Sequence, residues 1–303
     1  MVQYIYLKST SYFTLIALIL VMALGSVVNK VYAQERLLSM GAVGRILLDQ
    51  RIIGSYESLN LTIEVIPQEN RSVTQVEANV VIPNPIPDKE CTISFDYIDN
   101  NQWQLPATED FRSKCGNQNG KYVLHFNARD SVGEETDPNK RPRISVFVGM
   151  PPLESGVDFS GNSLESNSEF VGGVSVNRGN YERSQVLKSS SEGHVLGAIE
   201  VDPAHVNQRA DIFAYAQFSG PGSEGYYMLG KKDPNGNNAP VLSWDGNLTT
   251  LATHEDVNLE QTQEISIYQG LFPVGTYKIY FGYRLPENGM LVRNSQPIEV
   301  TVY

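Results

Sequence analysis

The chain has 303 residues, of which 34 are acidic and 23 are Lys or Arg, for a formal net charge of −11. An acidic chain with dispersed Lys and Arg has no electrostatic footprint for nucleic acid, which excludes DNA and RNA as partners. With 25 Gly, 16 Pro and 16 Tyr and few helical stretches, the composition points to a mostly β protein.

The first element is a targeting segment. Lys8 precedes an apolar run from Phe13 to Gly25 broken only by Thr14, and Val31-Tyr32-Ala33 follows just before Gln34. This order reads as a signal peptide over 1–33, with small residues where a signal peptidase inspects the chain. The alternative, a retained anchor, needs about 20 apolar residues, more than this run supplies. Export places the chain in a secreted, periplasmic or cell-surface location. Cleavage removes Lys8 and Lys30, so 21 basic residues face 34 acidic ones, a mature net charge of −13. That charge favours solubility and repels anionic membranes. No second apolar run of comparable length follows, so no transmembrane span is expected in the mature chain.

The 270 residues from Gln34 onward exceed what one small core fills, and two domains are expected. Residues 34–56 lack clear periodicity and read as an N-terminal arm or leading strand; one variant has this segment donated to a neighbouring subunit, giving self-association. A first β-sandwich is expected over 57–149. Leu59, Leu61, Ile63 and Val65 alternate with Asn60, Thr62 and Glu64, the period of two of a half-buried strand. Further strands are expected at Val76–Ile82, Cys91–Tyr97, Tyr122–Asn127 and Ile144–Val148, with Pro83, Pro85 and Pro87 interrupting pairing. Cys91 and Cys115, the only two cysteines, are expected to form a disulfide in an oxidising compartment.

Residues 150–168 are rich in Gly, Ser, Pro and Asn and read as an interdomain linker open to proteases. The second sandwich is expected over 169–303. Ala210, Ile212, Ala214, Ala216 and Phe218 share one strand face, opposite Asp211, Phe213, Tyr215 and Gln217. Tyr277, Ile279, Phe281 and Tyr283 alternate with Lys278, Tyr280 and Gly282, and Ile298–Val302 repeats the rule. Pro286-Glu-Asn-Gly289 supplies a turn between neighbouring strands. The fold class expected is therefore all-β: two antiparallel, immunoglobulin-like sandwiches behind a signal peptide.

Gly197-Ala-Ile-Glu-Val-Asp-Pro-Ala-His-Val206, Ala210-Asp-Ile212, Trp244-Asp-Gly246, Ile267-Tyr-Gln-Gly270, Ile279–Leu285 and Pro297–Val300 together resemble a C-terminal module that recurs in bacterial secreted and surface proteins. The resemblance spans about residues 169–303. It implies an immunoglobulin-like sandwich attached to varied partners and brings no catalytic residues.

Candidate chemistry is sparse. The four histidines, 125, 194, 205 and 254, show no ligand spacing, and neither a zinc-protease helix motif nor a Gly-x-Ser-x-Gly elbow occurs. His125 reads as an ordinary strand position and His205 as a turn residue beside Pro203. Asp233, Asn235 and Asn237 alternate as Ca²⁺ ligands do, yet the position of the closing Glu is Trp244, and Asp-Pro-Asn-Gly also satisfies a tight turn without an ion. Calcium is the one cofactor with a candidate site; otherwise none is implied. Phe213, Tyr215, Tyr226, Tyr227, Trp244 and Tyr280 are the candidate ligand-binding rings, as a sugar-stacking platform or as core and interface. The reading that results is a non-catalytic exported protein acting in cell-surface or extracellular-matrix contact with a protein or glycan. A carbohydrate-binding protein is the alternative, and a secreted hydrolase with scattered carboxylates is a third.

Overall fold

The alternation of apolar and polar residues along the chain resolves into four sheets in a computed structural model. It describes residues 42–48, 51–53, 59–67, 70–82, 91–106, 114–116, 118–137, 141–156, 166–232 and 239–303, with backbone alone for 42–48. The expected signal peptide, most of the arm and the Asp233, Asn235 and Asn237 turn lie outside the described residues.

The first half carries β1 (Ala42–Leu48), β2 (Ile52–Ile53), β3 (Leu61–Ile66), β4 (Val73–Val81), β5 (Cys91–Ser94), β6 (Asp96–Tyr97), β7 (Gln102–Gln104), β8 (Gly120–Asp130) and β9 (Arg143–Val148). They form a four-stranded sheet ordered β1-β3-β7-β6 and a five-stranded sheet ordered β2-β9-β8-β4-β5. Leu61, Ile63 and Val65 of β3 face Val76 and Ala78 of β4 and Tyr122, Leu124 and Phe126 of β8 in one buried cluster. That is the parity their alternation requires, because side chains two apart share a face. The Cys91–Tyr97 stretch is two strands rather than one. It pairs with β4 as far as Ser94 and then with β7 from Asp96, so the chain changes sheet at buried Phe95. Residues 42–48 pair with β3 in their own sheet, which leaves that part of the arm engaged within the chain rather than donated to a neighbour.

The second half carries β10 (Pro152–Leu153), β11 (Glu169–Val176), β12 (Ser184–Leu187), β13 (Glu192–Glu200), β14 (Arg209–Gly220), β15 (Ser223–Leu229), β16 (Val241–Trp244), β17 (Glu255–Asn258), β18 (Thr262–Leu271), β19 (Gly275–Arg284), β20 (Leu291–Arg293) and β21 (Ile298–Val302). One sheet runs β10-β11-β13-β18; the other has eight strands, β12-β21-β19-β14-β15-β16 with β17 on β14 and β20 on β19. The expected turn after β19 is present: Leu285 donates to the Met290 carbonyl, and Gly289 takes φ 72°. Between the sheets Ile212, Ala214, Phe281 and Tyr283 meet Phe170, Val195, Ile199 and Ile265. The sheets approach closely at Gly197, where a Cβ would lie 2.5 Å from the Phe281 ring. Larger side chains on both strands would force them apart.

The fold is the all-β sandwich expected, and its pairings are antiparallel apart from two at the edges. One edge strand in each half pairs in parallel, β2 on β9 and β12 on β21. The stretch expected as a linker is also structured in part. Met150 is buried, Pro152–Leu153 pairs with β11, and Leu153 enters the second core. Phe147 and Met150 pack with Val171, Tyr181, Leu196 and Ala198 in a third buried cluster, and Lys121 Nζ lies 2.7 Å from Glu264 Oε1. The Asn119 amide donates to Asn180 Oδ1 at 3.3 Å.

Candidate functional site

The predicted disulfide is formed between Cys91, at the start of β5, and Cys115, with Cα atoms 5.2 Å apart and both residues buried. The fully buried Tyr122 anchors this region, its hydroxyl lying 2.7 and 2.8 Å from the Gln118 and Gly116 carbonyls.

Strand parity divides the candidate rings. On the outer face of the eight-stranded sheet, Tyr215 stands between Tyr280 on β19 and Met228 on β15. Its ring stacks on Tyr280 at 5.1 Å, lies 6.5 Å from Phe213 and meets Trp244 at 4.9 Å, and Trp244 in turn meets Tyr226 edge-on at 5.8 Å. The array is mostly covered. Phe213, Tyr215 and Trp244 pack with Leu251 and Leu291 into a separate buried cluster, and burial pushes the Tyr215 phenol up to about 12. The Trp244 indole donates to the Thr250 hydroxyl at 3.0 Å and to the Asn247 carbonyl at 3.2 Å, so its polar atom is used internally. Arg284 ties the covering loop down by donating to Asp211 at 2.9 Å and to the Leu251 carbonyl at 3.4 Å. Tyr226, 40% exposed, and half-buried Tyr280, with the Arg293 guanidinium 5.0 Å from its ring centroid, remain at the surface. Tyr227 is not part of this face. It pairs with Ala216, an inward position.

Inward-facing Tyr227 belongs to a second arrangement. Along β14 the inward positions after Ile212 are Ala214, Ala216 and Phe218, and the two alanines leave space opposite Ile267 of β18. A cavity of about 350 Å³ fills that space, its lining running from Ala214, Leu229 and Val241 to Phe272 and Pro273 in the turn between β18 and β19. Rings in contact surround it: Tyr227 on Phe218 at 6.1 Å, Phe218 on Tyr277 at 4.9 Å, Tyr277 on Phe272 at 5.3 Å and Phe272 on Tyr268 at 4.5 Å. Phe218 is held in place by glycines. A Cβ on Gly220 or Gly275 would lie 2.3 or 2.4 Å from its ring, and Gly275 has φ +147°. Among these rings only Tyr227 is a candidate named from the sequence. Phe218 and Tyr277 were visible as alternating apolar positions, which do not reveal a gap, whereas Tyr268 and Phe272 were not read as members of any strand face.

The histidines are engaged in the framework. His194 Nδ1 lies 2.6 Å from the Tyr181 hydroxyl, and burial holds its pKa below the usual value. His205 sits in the turn after Asp202, as its neighbourhood suggested, with Nδ1 2.7 Å from the Tyr283 hydroxyl. That hydroxyl also meets Ser168 at 2.8 Å. Buried His254 lies 3.0 Å from the Gly230 carbonyl. His125 is half-buried in β8, its pKa lowered by burial and by Arg143 and Arg141. Among the described residues no group of three or more His, Cys, Asp or Glu is placed to hold a metal ion, and no helix is long and apolar enough to cross a membrane.

No family model matches the chain, and no curated protein matches it. Among solved structures, it is similar to the crystal structure of a DUF3823 family protein from Bacteroides ovatus, at 14% identity over 78% of this chain and 95% of that one. The TM-score is 0.18, too low to show a shared fold.

Proposed function

We propose that this is an exported, non-catalytic β-sandwich protein that works by surface contact outside the cytoplasm. The Cys91–Cys115 bridge carries the reading, because a buried structural disulfide belongs to an oxidising compartment. The order of charge, apolar run and small residues before Gln34 agrees with it. The non-catalytic part draws support from what the titratable groups do. Three histidines meet tyrosine hydroxyls or a backbone carbonyl, bonds that position strands. The contact surface we assign is the outer face of the eight-stranded sheet around Tyr226, Tyr280 and Arg293.

Cell fractionation with thiol alkylation tests this. The expected result is a chain beginning at Gln34, found outside the cytoplasm with both cysteines blocked. A cytoplasmic chain with two alkylatable thiols would overturn it. A second reading, glycan binding, rests on Tyr226 and Tyr280, the two rings of the array that reach solvent. A glycan array on the protein and on Tyr226→Ala checks it, and retention that ignores the substitution would end it.

A further inference from the structure

The cavity at the β18–β19 end of the second sandwich has a lining that specifies what could fill it. Four tyrosines line it, Tyr215 with its ring in the outer-face cluster, and two of the other three turn their phenols to the backbone of the adjoining turn. Tyr268 donates to the Leu271 carbonyl at 2.7 Å and Tyr277 to the Pro273 carbonyl at 2.9 Å. Burial raises both phenols, Tyr277 to about 12, so neither offers a charge. The remaining lining is aliphatic or aromatic, without an ionisable acid or base. Burying a charged ligand there would leave the charge unpaired, which is strongly unfavourable. Tyr227 differs, since its hydroxyl has no hydrogen-bond partner among the described residues. Val241, which also lines the cavity, is 54% exposed.

Size narrows the class further. A dry apolar cavity of about 150 Å³ takes a benzene ring. This one, about 350 Å³, suits a ligand of roughly ten to sixteen carbon atoms by the same scale. We propose that the space enclosed by Phe218, Tyr227, Tyr268, Phe272 and Tyr277 is a binding site for a free, neutral, largely apolar small molecule, such as a medium-chain alcohol, with its one polar end at the Tyr227 hydroxyl. The site does not depend on the reading of export, since a chain found in the cytoplasm would bind the same ligand.

Fluorescence titration of the intact protein with the neutral probe N-phenyl-1-naphthylamine tests the assignment, with 1-decanol and decanoate as competitors. Saturable probe binding is expected, displaced by decanol at a concentration about tenfold or more below that needed with decanoate. Ala216→Phe fills the cavity and should abolish binding without lowering the melting temperature. Tyr227→Phe should keep the probe but weaken decanol by about threefold to tenfold, the loss of one hydrogen bond. Absence of saturable binding, a folded Ala216→Phe protein with unchanged affinity, or decanoate competing as well as decanol would each overturn the proposal. If Ala216→Phe does not fold, the Tyr227→Phe result decides, and unchanged decanol affinity counts against the site. Co-flotation with phosphatidylcholine vesicles that decanol reverses would assign the space to a membrane lipid and overturn the free ligand.

Discussion

The Tyr181 hydroxyl and His194 Nδ1 lie 2.6 Å apart beside the buried cluster where the two halves meet. Burial pushes the Tyr181 phenol up to about 12, so tyrosine donates and a neutral imidazole accepts. Glu264 and Glu192 favour the imidazolium, while burial and Lys121 oppose it, and the net direction is down. The unfolded chain therefore binds more protons than the native one below about pH 6.5. Stability from this group is present at neutral pH and declines as pH falls from there toward the lowered native pKa. His125 acts with the same sign. Glu200, raised mainly by burial, acts oppositely and loses stability as pH rises through and above its ordinary range. Thermal melts should show a lower melting temperature at pH 5.5 than at pH 7 (values set by the ordinary histidine range of about 6.5), with part of that slope gone in His194→Gln. An unchanged slope would remove His194 from the account.

Asn294 is fully buried and its amide is bonded on both sides. Its Oδ1 accepts from the Phe281 amide at 2.7 Å, and Nδ2 donates to the Gln296 carbonyl at 2.6 Å. Asn294→Ala leaves those backbone groups without partners in the centre of a sheet. A loss of about 2–3 kcal/mol is expected in urea denaturation. A change under about 0.5 kcal/mol, typical of surface substitutions, would refute it.

The two tryptophans should respond differently to removal of their indole nitrogen. Trp103 Nε1 is buried with no partner among the described residues, whereas that of Trp244 makes the two bonds described above. Trp103→Phe relieves an unsatisfied donor while losing volume, and Trp244→Phe loses both volume and bonds. Trp244→Phe is therefore expected to be the costlier, by about 1 kcal/mol. Equal losses would contradict the bonding pattern.

Each tryptophan also reports on one half of the molecule. Replacing Cys91 and Cys115 together by Ser should cost about 3 kcal/mol from loss of the closed loop. The cost should register in the fluorescence of Trp103, within the first core, before that of Trp244. Simultaneous loss of both signals at all denaturant concentrations would mean that the halves unfold as one.

Long strands were legible in the sequence because their side chains obey a period of two over many residues. β8, β14 and β19 each appear where alternation placed them, extended by a few residues at their ends. Parity likewise placed Phe213 and Tyr215 opposite the alanines. What covers those rings was not legible, because Trp244, Leu251 and Leu291 come from distant loops and strands whose approach depends on sheet order. The β10 pairing was hidden for a different reason. One apolar residue, Leu153, anchors it within a stretch of turn formers, and a single residue has no period. The cavity is invisible to pattern reading because small side chains on an inward face look the same whether the facing sheet fills the gap or leaves it.

The passage from β9 to β10 spans only Gly149, Met150 and Pro151. So short a tether holds the facing surfaces of the two halves at an effective concentration of about millimolar or higher. Contacts too weak to join separate molecules then suffice to keep them together. Cutting the chain at this point would turn a junction independent of dilution into an equilibrium set by mass action.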